Sequence, residues 1–574
     1  MRLDLTGAVG LGREHAAQLD AIAAELRRPY VDLVSQLSAP YGANLDWWVT
    51  PLASRNTYVC PLFRRLCQVE LARRLSATGG KSGIVVDTPA MAELLRETVP
   101  PNVQVQSALT PLRWRLRSVL SILRRLAATL YACAGRYVFS RLIPSHGRPL
   151  PREPITLVDT FMYPGSIRDG AFCDRHYPGM MEMLDDDERR RVFWAPVYYR
   201  VRNHARLFRR LRACRDNLLL AEDYLRFEDY VYAIGHFLRG RHVLPDIDFL
   251  GLRVGPLVRE AHAEAYAGSG SIEGLLRHRF ALRLREAGVK LQRVVEWFEN
   301  QEVDHGAVSG WLTFHPDTHV VGYQGFLASR TYLCMFPLEA ERALGLLPHS
   351  VGVMGPALVD PPREFCPGLE VTTAPAFRFD GLWHLPYDKP LHDAVTLLVS
   401  LPLDAGQTRQ ILEMLGAAIG RNPDFEGWQV RIKPHPAFPR HQFEKGATMG
   451  LQSGWSLAEG DLDDLIEEAD LFVGNASSTC VQAIVHGVPV AIIGGRARPT
   501  LNPIPEWADG ALWSVCHSAE DLREKLTRLT RGDSEASARR REAGALIRER
   551  LFRPVTRSAV LELLGLPPMA TALQ

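Results

Sequence analysis

One unit recurs between residues 395 and 495: a short apolar run ending in polar or proline-bearing residues, a helical stretch, then the next apolar run. Residues 395–402 (VTLLVSLP) read as a strand and 408–419 as a helix. Residues 428–436 (WQVRIKPHP) are a strand with its exit loop, and 462–470 a short helix. LFVGN (471–475) is a strand, SSTCVQAIVHG (477–487) a helix and VPVAIIGG (488–495) a strand. Runs this apolar are buried on both faces, and strand–helix–strand alternation builds a parallel sheet. An earlier series repeats the rhythm: SGIVVDTP (82–89), ITLVDTF (155–161), RVFWAPVYY (191–199), VVEWFENQ (294–301), HVVGYQG (319–325) and SVGVMG (350–355). LDWWVTPLA (45–53) has a strand pattern, and 13–36 reads as an amphipathic helix. The expected class is α/β. At 574 residues the chain is long enough for two large domains and additions.

Composition narrows the partners. With 67 basic and 65 acidic residues the formal charge is +2, so no global field favours nucleic acid. Nine cysteines, an odd number with no CxxC spacing, argue against a disulfide framework or structural zinc, and a reducing cytoplasm is the expected compartment. No signal-peptide core and no membrane-spanning run is read from the sequence. Residues 98–152 stand apart. They contain no Asp or Glu, and 111–142 carries seven arginines among Leu116, Leu120, Leu123, Leu130, Tyr131 and Val138. A basic amphipathic helix of this kind suits an anionic membrane surface, and an internal helical insertion is the alternative.

In parallel sheets, ligands bind beyond the carboxyl ends of the strands. Lys433-Pro434-His435-Pro436 is such an end, with two prolines fixing the loop. Asn475, Ser477, Ser478 and Thr479 lie between a strand and a helix, where hydroxyls cap the helix and free N–H groups favour a phosphate. Together Lys433, His435 and this loop are expected to clasp the phosphate of a nucleotide, with Gly487 ending the helix. Three carboxylates occupy expected strand ends: Asp87, Asp159 and Glu299. Glu299, between Phe298 and Asn300, and Asp159 are the candidate catalytic groups, with His435 acting on the departing phosphate. Arg55, Asn56 and Gln301 are candidates for binding an acceptor or a sugar carboxylate. The strings Asp246-Ile247-Asp248 and Asp461-Leu462-Asp463 read as structural, and no metal or cofactor is expected. His486 reads as structural and His441 as solvated.

KPHP, ADLFVGNASST and HGVPVAII resemble the C-terminal domain of GT-B glycosyltransferases. They are most similar to bacterial capsule and lipopolysaccharide enzymes with CMP- or CDP-activated donors. Those are Kdo transferases, sialyl- and polysialyltransferases, and polyol-phosphate transferases of teichoic acid synthesis. The E-x7-E pattern of many retaining transferases is missing from 477–487. DWWVTPLASRN, IVVDTPA, TLVDTF, RHYPGMMEML, EWFENQ, VVGYQGF and LLVSLPLD resemble a family of bacterial surface-carbohydrate biosynthesis proteins found in O-antigen loci.

The resemblance implies two Rossmann-like domains facing across a cleft. An acceptor and catalytic domain would span 1–388, with 98–152 as its helical insertion, and a nucleotide-sugar domain 389–574, whose helix near 535–552 crosses back. The implied activity is transfer of Kdo or another nonulosonic acid from a CMP-linked donor to a glycan or lipid-linked glycan. The missing metal-ligand spacing adds the expectation of metal independence, and the basic segment that of a cytoplasmic protein peripheral on the inner face of the cytoplasmic membrane. A CDP-polyol phosphotransferase, a UDP-sugar epimerase and a non-catalytic membrane scaffold are the alternatives.

Overall fold

The computed structural model describes residues 2–566 except 9, 78–82, 145–152, 164, 200, 386–393, 421, 436–442, 444–450, 453, 476 and 531–533. Three parallel sheets organise it. The first has three strands, β1 (Arg2–Asp4), β2 (Gly83–Val86) and β3 (Gln104–Ser107), packed under helix α1 (Arg13–Ser38). The second has six: β4 (Ile155–Met162), β5 (Val192–Tyr198), β6 (Leu291–Trp297), β7 (His319–Gln324), β8 (Ser350–Val353) and β9 (Glu370–Thr373), in the spatial order β9-β8-β7-β6-β4-β5. The third has β10 (Thr396–Ser400), β11 (Gln429–Lys433), β12 (Trp455–Leu457), β13 (Leu471–Gly474), β14 (Val490–Ile493) and β15 (Trp513–Cys516), in the order β12-β11-β10-β13-β14-β15.

The third order is that of a dinucleotide-binding Rossmann sheet. Its direction reverses between β10 and β13. In the second sheet the reversal falls between β4 and β6. Strands β13 and β14 are buried at every position, which explains their uninterrupted apolar sequences. The chain therefore has the two-Rossmann arrangement of GT-B proteins. The smaller first sheet is an addition that the strand pattern did not separate.

One hydrophobic core runs through both large sheets. Trp297, Tyr323, Phe377 and Phe379 from the second side join Ile466, Val481 and Ile484 from the third. The C-terminal helix α2 (Ser534–Leu551) crosses back as expected: Arg553 N donates to Met354 O, and Ala376 N to Arg553 O at 2.9 Å. Helix α3 (Arg557–Leu564) then docks on the second sheet, where Thr156 Oγ1 donates to Leu564 O at 2.9 Å. Residues 552–566 thus lie with the second sheet. The first layer also touches the third sheet's loops, through Leu11 N to Arg496 O at 2.8 Å and Thr500 N to Asp20 Oδ1 at 2.6 Å.

Two local expectations need correction. LDWWVTPLA is not a strand: Leu45–Trp48 is a helical turn whose Asn44 side chain accepts from Asp46 N. That cap and the missing N–H of Pro51 stop a ladder, and Trp47 and Trp48 are both buried where a one-sided strand would expose one. Asp159 is not at a strand end: it lies inside β4, 4% exposed, ion-paired with Arg277 of the helix Ser269–Glu286.

The basic segment forms one long helix, Pro111–Leu142. Arg136 is turned inward, paired with Glu222 and Glu273 at 2.6 Å each. Arg113, Arg115, Arg117 and Arg124 stay exposed. No helix among the described residues is long and apolar enough to cross a membrane.

Candidate functional site

The two reversal points are where open parallel sheets offer a ligand crevice. At the second sheet, β4 ends beside Tyr163 and β6 beside Glu299. At the third, β10 ends at Ser400 and β13 at Gly474, just before Asn475. Residues beyond the strand ends of both sheets line a cavity of about 550 Å3, with Gln324, Phe326, Met335 and Leu358 on one side and Asn502, Ile504 and Trp507 on the other. Phe326 stacks on Trp297, ring centroids 6.0 Å apart, so this cavity adjoins the Glu299 loop.

Glu299 is held by donors. Trp297 Nε1 reaches Oε1 at 2.9 Å, and Gln301 Nε2 and Tyr332 Oη (3.2 Å) reach Oε2. Three of the four lone-pair directions of the carboxylate are filled, which leaves one on Oε1. Burial raises its pKa, against the pull of those three hydrogen bonds and the Arg378 charge. The loop is shaped by Asp304 at the start of the helix Glu302–Phe314, whose Oδ2 accepts from Glu299 N at 2.9 Å and Gln301 N at 2.8 Å. Between them Asn300 adopts a left-handed φ of 55°. Its side chain pays for that turn by donating to Cys334 O at 3.0 Å and Glu341 Oε2 at 3.1 Å.

Glu299, Gln301 and Asn56 come together: Asn56 Nδ2 donates to Gln301 Oε1 at 3.4 Å and to Glu302 Oε1 at 3.2 Å. Arg55 does not join them. It is fully buried, its guanidinium bidentate on Glu341 at 2.7 and 3.1 Å. Asp159 faces Arg277, and Asp87 pairs with Arg64 at 3.0 Å and Arg65 at 3.5 Å.

At the third sheet, Asn475 Nδ2 donates to Gln407 Oε1 at 2.7 Å, and Ser477 Oγ accepts from Thr479 N at 3.3 Å. Thr479 Oγ1 is buried with no hydrogen-bond partner. Ser478 is the N-cap residue by position but makes no side-chain cap. Lys433 Nζ donates to Gly460 O, and His435 is half-buried on the exit loop of β11. A small cavity joins Asn475 to Gly494, Gly495 and Arg498, and the Arg498 charge bears on Tyr58, whose ring packs 4.4 Å from that of Tyr332. Asp461 caps its helix, as read from the sequence, and Asp246 pairs with Arg259 at 2.7 Å. Gly487 ends its helix with φ 75°, and His486 is buried 3.6 Å from Asp463. His441 lies outside the described residues. Among the described residues no group of three or more His, Cys, Asp or Glu is placed to hold a metal.

The sequence did not single out Tyr163, Tyr332 and Arg378, which act on Glu299, nor Arg175 and His176, which lie against Tyr163 and Trp297 beside it. Arg175 and His176 open the stretch RHYPGMMEML, and nothing in its pattern marked it as part of a site.

No family model matches the chain, and no curated protein matches it. Among solved structures, MnaA of S. aureus with UDP is 9% identical over 72% of this chain and 95% of that one, with a TM-score of 0.43. MurG of Acinetobacter baumannii is 13% identical over 72% and 99%, TM-score 0.37. The glycosyltransferase SnogD of Streptomyces nogalater is 13% identical over 72% and 99%, TM-score 0.37. The fold assignment rests on the strand orders.

Proposed function

We propose that this chain is a glycosyltransferase of bacterial surface-polysaccharide synthesis. The observation that carries the reading is the coincidence of both sheets' reversal points with the residues singled out for chemistry, Glu299 on one and Asn475 to Thr479 on the other. A nucleotide-activated donor sits on the third sheet. Lys433, Asn475, Ser477, Ser478 and Thr479 hold its phosphate, and His435 stabilises the phosphate as it departs. The glycosyl C–O bond to phosphate breaks, a C–O bond to the acceptor hydroxyl forms, and Glu299 takes the hydroxyl proton. In the retaining variant Glu299 instead attacks the sugar as the bond to phosphate breaks, and the acceptor hydroxyl then displaces the Glu299 carboxylate, its proton passing to the departed phosphate. Asn56 and Gln301 orient the acceptor. A CMP-linked nonulosonic acid is the donor that the KPHP and NASST resemblance favours.

A thermal-shift screen of CMP, CDP, UDP and GDP tests this. A nucleotide at a hundred times its Kd stabilises by about 2.7 kcal/mol. His435→Ala should weaken that shift while leaving the unliganded melting temperature unchanged. If none of the four nucleotides stabilises the protein, the donor site is wrong and a scaffold that retains the fold is the better reading. A UDP response alone would favour the epimerase, and a CDP response the polyol-phosphate transferase.

The acceptor side faces a membrane. On the helix Pro111–Leu142, Leu112, Leu116, Val119, Leu120, Leu123, Leu130, Tyr131, Val138 and Leu142 are exposed, Leu116 by 62% and Leu142 by 69%. They recur at three- and four-residue steps and form one stripe, which exposed Phe227 extends through its ring contact with Tyr137 at 5.7 Å. Five exposed arginines, Arg113, Arg115, Arg117, Arg124 and Arg141, accompany it and no acid lies in 98–152. A stripe this long with one sign of charge fits an anionic lipid surface, each arginine adding on the order of 1 kcal/mol. In flotation, wild type should rise with phosphatidylserine vesicles, less so in high salt. The triple variant Leu116→Asp, Leu120→Asp, Leu123→Asp should stay at the bottom with its melting temperature unchanged. Equal, negligible binding to anionic and neutral vesicles would remove the membrane from the proposal.

A further inference from the structure

Two arginines lie near the Glu299 loop with no direct ion pair among the described residues, although the charges of Asp174 and Glu299 reach Arg175 and Arg378 respectively. Arg175 follows the β4 exit, and Arg378 lies on the 3-10 segment Phe377–Trp383. The two segments lie side by side: the Tyr177 and Phe377 rings pack 5.6 Å apart, and Arg175 stacks over Tyr163 at 4.8 Å. Both side chains are exposed by surface area, and among the described residues neither forms an ion pair. Each lies within the other's field, and the Arg378 charge also reaches Glu299. Glu299 makes no ion pair with either arginine: Trp297, Gln301 and Tyr332 fill three of its four lone-pair directions, and its charge acts on Arg378 only through space. His176, 4.2 Å from Trp297, adds no third cation: burial and both arginines push its pKa down to about 3. The segment bearing Arg378 also packs against the helix Thr479–Val485 through Phe379 and Leu382, which join Val481 and Ile484 in one core.

We propose that Arg175 and Arg378 form an oxyanion clamp that binds a carboxylate or phosphate carried by the substrate, next to Glu299. This rests on the Glu299 reading for the identity of the site, and adds that one reactant is anionic at a point apart from the nucleotide phosphate. Two neighbouring guanidinium groups repel, and a bidentate oxyanion between them removes that cost while supplying planar hydrogen-bond geometry. The clamp also orients: an anion fixed on two arginines leaves the attached sugar a single rotation to bring its reacting atom to Glu299.

The test is calorimetric titration of the full chain with N-acetylneuraminate, with its neutral methyl ester and with inorganic phosphate. The clamp predicts saturable binding of the carboxylate, the phosphate or both, and none of the ester. Arg175→Gln and Arg378→Gln should each weaken that binding roughly tenfold or more, and Arg378→Lys less. Which of the two anions binds identifies the group. CMP binding should be untouched in both variants, so loss of the donor site and loss of the clamp are read separately. Since both side chains are exposed, melting temperatures should hold. Equal binding of acid and ester, no saturable binding of either anion, or anion binding unchanged in both glutamine variants would overturn the clamp.

Discussion

Glu299→Gln should lower turnover by roughly a hundredfold or more, about 2.7 kcal/mol in the barrier, while nucleotide binding stays near wild type. The substitution keeps size and the hydrogen bond from Trp297 to Oε1, but the amide nitrogen replaces Oε2, which accepts from both Gln301 and Tyr332, so those two donations are lost along with the basicity. Binding on the third sheet does not use this residue, so kcat rather than the nucleotide Kd carries the effect. The pH profile provides a second measurement. Burial raises the Glu299 pKa, and activity needs the carboxylate, so the acid limb of the rate should fall above the ordinary glutamate range. Asp159→Asn is the control. Its carboxylate is buried on Arg277, so its loss should appear as a lowered melting temperature. Near wild-type turnover in Glu299→Gln together with an inactive but stable Asp159→Asn would move the chemistry to the other strand.

What the sequence made legible follows the physics of burial. Strands β13 and β14 were readable because both faces are covered, so their residues are uniformly apolar, and their carboxyl ends located the Asn475 loop without tertiary information. Glu299 was readable because β6 stops at Trp297. Contacts between distant segments left no such trace. For Arg55 the sequence leaves a substrate ligand and a structural salt bridge equally open, because the partner that decides for the salt bridge, Glu341, lies 286 residues on. Arg175 and Arg378 converge from opposite ends of the second sheet's sequence, and neither sits in a periodic pattern. The left-handed turns at Arg55 and Asn300 were also hidden, since neither residue is the glycine that would announce them.

Those two turns share one anchor, and from it comes the largest expected loss of stability. Glu341 is fully buried and accepts from Arg55 (φ 56°), from Asn300 and from Leu338 N at 2.8 Å, with His305 Nε2 at 3.3 Å. The guanidinium of Arg55 and the His305 hydrogen bond outweigh burial and hold the Glu341 pKa down to about 2. Arg55→Ala should therefore cost about 3–5 kcal/mol, because it strands a buried carboxylate rather than merely deleting a contact. The pH dependence has a definite sign. A folded pKa below the unfolded value of 4.5 contributes stability that is present above about 4.5 and lost as pH falls toward 2, on the order of 3 kcal/mol in all. Wild type should lose this contribution across that window in denaturant titrations, and Arg55→Ala should show a much shallower dependence there. The double variant Arg55→Met, Glu341→Gln should regain much of the loss, since the stranded charge is gone. Its turnover should stay low, because Asn300 no longer has the carboxylate that fixes its left-handed turn and the Glu299 loop is free to shift. If Arg55→Ala melts within a degree of wild type and keeps full turnover, the Glu341 network does not hold the loop.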